Sequence, residues 1–307
     1  MLLTLPVIPK PFLKWAGGKS QLIEQINHFL PQQLFDGSVK KYIEPFIGGG
    51  AVFFYVAHKY QIEELFISDI NSELVITYKT IQHNVEDLIA HLENIEKQYL
   101  SLNEIERNKY FYKIRNQFNC QKQNIDFKKY SFDWVEITAQ IIFLNKTCFN
   151  GLFRVNSQGD FNVPIGKYKK PTICHPKNLK AVAKILQKTK IYQGDFSECE
   201  KFVDNNTFVY FDPPYRPISN TSNFTSYSQQ SFHDSEQLRL RDFFKKLDNK
   251  GALLLLSNSD PKNVNINDDF FEKAYAGYRI ERVKATRSIN SNASKRKAVD
   301  ELLIMNY

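Results

Sequence analysis

The chain has 307 residues, of which 42% are apolar, enough for one large or two ordinary domains with a real core. No run of 18 apolar residues occurs and Met1–Pro6 has neither the basic flank nor the length of a signal peptide. These features exclude a membrane-spanning protein and set the expectation of a cytoplasmic, nucleoid-associated one. The net charge of +8, with a pI of about 9.1, suits a polyanionic partner; the four cysteines lack any C-x-x-C spacing, which speaks against a zinc site or a disulfide framework, so no metal is expected.

Near the N-terminus, Lys14-Trp15-Ala16-Gly17-Gly18-Lys19-Ser20 invites comparison with a phosphate-binding loop. The spacing rejects it, because G-x-x-x-x-G-K-S would need glycine at Leu13 and no apolar strand precedes the segment. Trp15 and Lys19 are instead candidates for the wall of a small-molecule pocket.

A strand is expected at Tyr42–Phe46, followed by the turn Gly48-Gly49-Gly50 and a helix opening at Ala51. A second strand, Leu65–Asp69, ends on an acid nineteen residues after Gly50, which completes the start of a βαβ unit. Small residues at a strand-to-helix turn let a ligand approach the backbone, and an acid after the second strand can hold a ribose diol. The dinucleotide pattern is broken by Phe53, and the acid Glu44 before the turn suits a cationic ligand better than a pyrophosphate. S-adenosylmethionine fits that combination.

From about 72 to 174 the α/β pattern is interrupted by a polar, aromatic-rich and mainly helical stretch, read as an inserted domain. Within it Trp134–Asn145 is a helix with Ile137, Ile141, Ile142 and Leu144 roughly on one face. Asn150–Asn156 and Gly159–Pro164 read as a β-hairpin around a glycine-containing turn.

Strand signals return at Lys190–Gln193, Thr207–Phe211 and Ala252–Leu256, near-continuous apolar runs suited to a parallel sheet buried on both faces. Two more strands, near Tyr278–Ala285 and Val299–Met305, are expected to pair antiparallel. Between Arg279 and Lys297 seven cations face the single anion Glu281. Arg287, Lys295, Arg296 and Lys297, interleaved with serines and asparagines, are the residue types that contact phosphates.

The apolar run Thr207–Phe211 delivers Asp212-Pro213-Pro214-Tyr215 to a strand's carboxyl end, where ligands of open α/β sheets bind. Asp212 offers a carboxylate, Pro213 a carbonyl with no competing N–H, and Tyr215 an aromatic face. Two acceptors and a stacking surface suit chemistry on the exocyclic amine of a flat ring. Asn223–Tyr227, shortly afterwards, is expected to form a loop beside that ring.

Taken together, Phe12–Lys19, Glu44–Gly50, Ser68–Asn71, Asn150–Arg154, Phe161–Pro164 and Asp212–Tyr215, with Thr286–Ile289 and Val299–Leu303, resemble the Dam-type (D12 class, α-group) adenine-N6-specific DNA methyltransferases over nearly the whole chain. The resemblance implies a Rossmann-like methyltransferase sheet in two parts, 1–71 and 175–307, with an inserted target-recognition domain at 72–174. It implies S-adenosylmethionine as methyl donor in a pocket lined by Trp15, Lys19, Asp69 and Asp212, to which the strand-to-helix turn adds Glu44, Phe46, Gly48 and Gly50 as cofactor-binding candidates, and catalysis by Asp212, Pro213 and Tyr215 on an adenine turned out of duplex DNA, as in GATC. Lys14, Leu152, Arg154, Pro164 and Tyr168 correspond to base-reading or site-adjacent positions, and Phe149 and Asn150 to residues that enter or grip the duplex. Phe149 stands where some relatives carry Tyr, which keeps an aromatic wedge without a hydroxyl. A cognate restriction endonuclease acting separately is a further partner under this reading. Three alternatives stay open: a methyltransferase of a restriction-modification system with another recognition sequence, a non-catalytic DNA-binding module, and a methyltransferase acting on a protein glutamine or an RNA adenine.

Overall fold

The protein is described by a computed structural model, which covers residues 7–216, 232–285 and 299–307. These hold seven strands: β1 (Lys41–Glu44), β2 (Glu64–Asp69), β3 (Thr189–Gln193), β4 (Thr207–Phe211), β5 (Leu253–Ser259), β6 (Arg279–Ala285) and β7 (Val299–Met305). Each strand expected for the sheet is present, with ends that match or shift by at most three residues. The chain divides into two compact units. The first comprises 1–18, 48–58 and 71–193, and the second 19–47, 59–70 and 194–307. The first unit therefore takes in the inserted 72–174 stretch together with two earlier segments and the run up to Gln193.

In the second unit the strands lie in the order β2-β1-β4-β5-β7-β6. Pairing is parallel from β2 to β5, with Ile43 opposite both Phe66 and Val209, and Val209 opposite Leu254. The antiparallel β7 then follows on β5, and β6 on β7. Every residue of β4 is buried, as expected of an apolar strand covered on both faces. Aromatic side chains make up much of this core: Tyr42 stacks on Phe208, and Phe244 meets Tyr275 and Tyr278 edge-on.

The order has a chemical consequence. Successive parallel strands leave β1 on opposite sides, to β2 and to β4, so β1 and β4 flank the point where an open sheet forms its ligand crevice. Glu44, Asp69, Asp212 and Asn258 all stand at or just past the carboxyl ends of these parallel strands. That edge carries the polar residues, while the strands behind it are apolar.

The first unit is mainly helical. The long helix Ser72–Ser101 begins at Asn71, whose side chain accepts from the Leu74 N–H, and bends at Asn84. Glu104–Gln121 starts on a reciprocal cap between Asn103 and Glu106. Packed against both is Trp134–Thr147, which extends the expected helix by two residues. Here the expectation of one apolar face needs correcting, since the helix is buried almost all round, with even Thr138 and Asn145 enclosed. Its polar groups are accommodated individually, as where the Thr138 hydroxyl donates to that of Thr80 at 2.9 Å.

The expected hairpin is there in reduced form. Val155 bridges Phe161, and Asn162 N–H donates to Arg154 O at 3.1 Å, but no full strand forms. The reason is local: Phe149–Gly151 is a tight 3-10 turn with Asn150 at φ +55°, and Asn156 turns its side chain onto the backbone of Gln158 and Asp160.

Candidate active site and reading surface

In the second unit the alternation of a strand explains which side chains meet. Tyr42 and Glu44 share one face of β1, and Tyr210 and Asp212 share one face of the β4 line. The Tyr42 hydroxyl donates to Glu44 Oε2 at 2.6 Å. Ser257, on β5, sits 2.9 Å from the Tyr210 hydroxyl and donates to Asp212 Oδ1 at 3.1 Å. Lys19, only 2% exposed, donates its ammonium to the same Oδ1 at 2.6 Å and lies 3.8 Å from Glu301. Among the described residues no hydrogen bond reaches Asp212 Oδ2.

Glu44 is 2% exposed. Burial, the largest influence, holds its carboxyl well above the usual carboxylate range; the Tyr42 bond opposes that, the Asp212 charge adds to it and the Lys19 charge works against it. A carboxyl in that state gains from an incoming cation, which would favour its charged form. The Tyr215 hydroxyl donates to Glu301 Oε2 at 2.5 Å, and the Lys19 ammonium lies 4.6 Å from the Tyr215 ring centre. Arg216 follows, forked onto Asp234 and bonded to Asp268, with its guanidinium over Phe270. Phe46 is half-buried against Phe196 and Phe232. Asp69, at the end of β2, receives the Gly194 N–H on its carbonyl and keeps a partly exposed side chain.

Three cysteines, Cys148, Cys174 and Cys199, are buried and their thiols are pushed up to about 12 by that burial. Such thiols are inert as nucleophiles near neutral pH.

In the first unit the glycines of the expected cofactor turn are already required by protein packing. A Cβ on Gly48 (φ +46°) would come 2.9 Å from the Trp15 indole, and one on Gly50 (φ +71°) 2.6 Å from the Tyr78 hydroxyl, which itself donates to Gly48 O. Trp15 also stacks on Phe153 with ring centres 6.0 Å apart.

A second cluster of this unit is organised by Asn145, 1% exposed. Its carbonyl accepts from Lys14 N–H at 2.8 Å, and its amide donates to Lys14 O and Gly151 O at 2.8 and 2.9 Å. Gly151 (φ +65°) lies so close to Lys14 that a Cβ would clash with the lysine stem. The Lys14 ammonium sits 3.9 Å over the Tyr168 ring. Arg154 is held by Nε donating to Asn162 Oδ1 at 2.8 Å, Leu152 is half-buried, and Pro164, Phe149 and Asn150 are exposed. The structure thus gathers Lys14 and Gly151 through Asn145, a residue sequence reasoning did not single out, and sets Tyr168 under the Lys14 ammonium. Arg287, Lys295, Arg296, Lys297 and the Asn223–Tyr227 segment lie outside the described residues.

Also missed were Glu301, Ser257, Gln237 and Asn258. For Ser257 the signal was available, since a serine inside an apolar strand faces something polar; the others act across elements that no sequence spacing relates.

An open, mostly parallel α/β sheet with acids at successive strand ends and the Asp212–Tyr215 segment at its carboxyl edge is a Rossmann-like fold of the kind that methyltransferases use. The chain belongs to the family of D12 class N6 adenine-specific DNA methyltransferases, whose model matches residues 15–289. It is 50% identical over 299 residues to the Type II methyltransferase M.MjaIII of Methanocaldococcus jannaschii, covering 97% of this chain and 99% of that protein. It is 37% identical to the Type II methyltransferase M1.LlaDCHI of Lactococcus lactis subsp. cremoris, with coverages of 97% and 95%. To a DNA adenine methylase of Haemophilus influenzae it is 33% identical, with coverages of 96% and 92%. It is therefore an adenine-specific DNA methyltransferase, and DNA is its substrate. No described helix is long and apolar enough to cross a membrane.

Proposed function

We propose that the chain transfers a methyl group from S-adenosylmethionine to N6 of an adenine rotated out of duplex DNA, with GATC as the recognition sequence. The observation that carries the reading is the second unit's strand edge, where Glu44, Asp69 and Asp212 stand at parallel strand ends with Lys19 buried on Asp212. The buried Glu44 carboxyl fits a cationic donor, and Asp69 fits a ribose diol. Lys19, Phe46 and Asp212 complete the cofactor residues of the second unit; Trp15, Gly48 and Gly50 are proposed as cofactor residues on sequence grounds.

When bound, S-adenosylmethionine supplies an electrophilic methyl on a sulfonium. The chain's own residues do the rest. Adenine N6 is a poor nucleophile because its lone pair is delocalised into the ring. Asp212 Oδ2 and the Pro213 carbonyl accept hydrogen bonds from its two N–H groups and draw the nitrogen toward tetrahedral geometry; as the methyl bonds to nitrogen and leaves sulfur, one of those two protons is released, ultimately to solvent. Lys19 and Ser257, both on Oδ1, hold the carboxylate so that its other oxygen faces the base. Tyr215, tied through its hydroxyl to Glu301, offers its ring for stacking, which offsets part of the few kcal/mol that unstacking the base costs. Positioning and electrostatics supply the rate, with no covalent enzyme intermediate.

Sequence reading falls to the first unit. Arg154, steadied by Asn162, can fork onto guanine O6 and N7, and Leu152 can rest against a thymine methyl. The exposure of Phe149 and Asn150 supports reading them as residues that enter or grip the duplex, with Lys14, Pro164 and Tyr168 read as lying beside the bases. Arg287, Lys295, Arg296 and Lys297 are proposed phosphate contacts on sequence grounds. Similarity to two proteins named Type II methyltransferases supports a role beside a restriction endonuclease acting separately. Methylation-sensitive sequencing of DNA from cells expressing the chain tests the proposal: N6-methyladenine confined to GATC is the expected result, and methylation at another sequence or none would refute it.

A further inference from the structure

Gln237 and Asn258 are fully buried amides, 1% and 0% exposed, that belong to neither the Asp212–Tyr215 motif nor any expected cofactor set. Gln237 Nε2 donates to Pro214 O at 3.1 Å. Asn258 Nδ2 donates to Gln237 Oε1 at 3.2 Å. Asn258 Oδ1 in turn accepts from the N–H of Arg216 at 3.4 Å and of Ser259 at 2.9 Å.

The direction of this relay is dictated at both ends. A proline carbonyl can only accept, so Gln237 must turn its NH2 toward it; backbone N–H groups can only donate, so Asn258 must turn its oxygen toward them. The two amides then meet in the one orientation in which a donor faces an acceptor.

Pro214 O belongs to the peptide plane before Tyr215, and the Arg216 N–H to the plane after it. With both planes pinned, the Tyr215 backbone dihedrals, and so the direction of its side chain, are set from behind the motif. Neither Pro213 nor Pro214 has an N–H to donate, so this stretch has fewer backbone donors of its own with which to fix its path.

We propose that Gln237 and Asn258 are positioning residues for the methyl transfer, acting through Pro214 and Arg216 to aim the Tyr215 ring and the Pro213 carbonyl at the target base. The proposal rests on the roles given to Tyr215 and Pro213 above. Asn258→Asp removes the relay's donor, so Gln237 must reverse its amide to meet the new carboxylate and then presents Oε1 to the Pro214 carbonyl. Gln237→Glu preserves the relay while its carboxyl is protonated, when the O–H can donate to Pro214 O, and breaks it once ionised.

The test measures single-turnover methyl transfer, affinity for S-adenosylmethionine and for duplex DNA, and melting temperature, on the full chain and both variants. Asn258→Asp should lower the transfer rate by ~10–100-fold, the scale of a misplacement of about 1 Å, with both affinities unchanged. For Gln237→Glu the rate relative to the unsubstituted chain should recover as pH falls, a profile independent of any change in melting temperature. Normal transfer in Asn258→Asp, losses confined to affinity, or a pH-independent ratio in Gln237→Glu would each overturn the inference while leaving the adenine reading intact. Failure of the unsubstituted chain to methylate adenine would overturn both. Should Asn258→Asp not fold, the Gln237→Glu profile decides alone.

Discussion

In the second unit a buried lysine is shared by two carboxylates, Asp212 at 2.6 Å and Glu301 at 3.8 Å, at the carboxyl edge of a parallel sheet. In the first unit a buried asparagine, Asn145, spends its amide on the backbone of Lys14 and Gly151 and leaves the lysine ammonium outside, over Tyr168. One arrangement pairs opposite charges at a strand edge. The other fixes the path of a surface turn and leaves its cation outside. Under the proposed function the contrast separates whether methyl is transferred from where on DNA it goes, and the variants below test each side of it.

The largest effect is expected at Asp212. Asp212→Asn keeps the shape but removes the charge, and should lower transfer by roughly 10²–10³-fold or more, the scale of losing one preorganised electrostatic contact, while duplex affinity holds. Asp212→Ala should abolish transfer and also melt earlier, because the buried Lys19 ammonium loses its closest partner; leaving a buried charge unpaired costs up to about 3–5 kcal/mol, less here because Asp212 is partly exposed. Near-normal turnover in either would end the assignment of chemistry to the second unit.

Next comes Glu44→Gln, which keeps a partner for the Tyr42 hydroxyl but removes the ionisable group. Because the folded carboxyl is held well above its unfolded value, the folded state binds the extra proton, and the unsubstituted chain loses stability as pH rises past the ordinary carboxylate range. The variant should lack that slope and melt higher at neutral pH without ligand. It should also bind S-adenosylmethionine more weakly, by about 1.5–3 kcal/mol if a charge-assisted contact is lost. A variant that binds the donor normally would detach Glu44 from the cofactor set.

How far these assignments could be read from sequence differs between the units for a physical reason. Strand ends are local: Thr207–Phe211 followed by Asp212, or Leu65–Ser68 followed by Asp69, states its geometry within a few residues, and β4 and β7 have the expected ends. Glu301 meets Tyr215 across 86 positions and Asn145 meets Lys14 across 131. No period or turn rule relates such residues, so they emerge only when the chain is folded. The helix Trp134–Thr147 shows the same limit, since its isoleucines mark one face while Thr138, Gln140 and Asn145 on the others are buried by neighbours that the pattern does not encode.

Arg154→Ala tests the first unit. It should relax discrimination at a single base pair by about 1–3 kcal/mol and leave S-adenosylmethionine affinity alone. Unchanged relative rates on singly substituted sites would remove Arg154 from the reading set, whereas a loss on all sequences alike would make it a phosphate contact.

The smallest effect sharpens the comparison of lysines directly. Lys146 lines a cavity of about 560 Å³ in the first unit, with Ile142, Phe12, Ile173, Lys10 and His175 among its walls. Burial, and then the charge of nearby Lys14, lowers its ammonium to about 8. The unfolded chain holds that proton up to the ordinary lysine range, so the penalty is complete below about 8 and fades as pH rises above it. Lys146→Met should therefore melt a few degrees higher at pH 7, by an amount that shrinks as pH rises above about 8. Lys19→Met, which strips two carboxylates of a buried cation, should melt lower at the same pH. If both variants moved in one direction, Lys19 and the half-buried Lys146 would be doing the same job, and the contrast between lysines of the two units would fail.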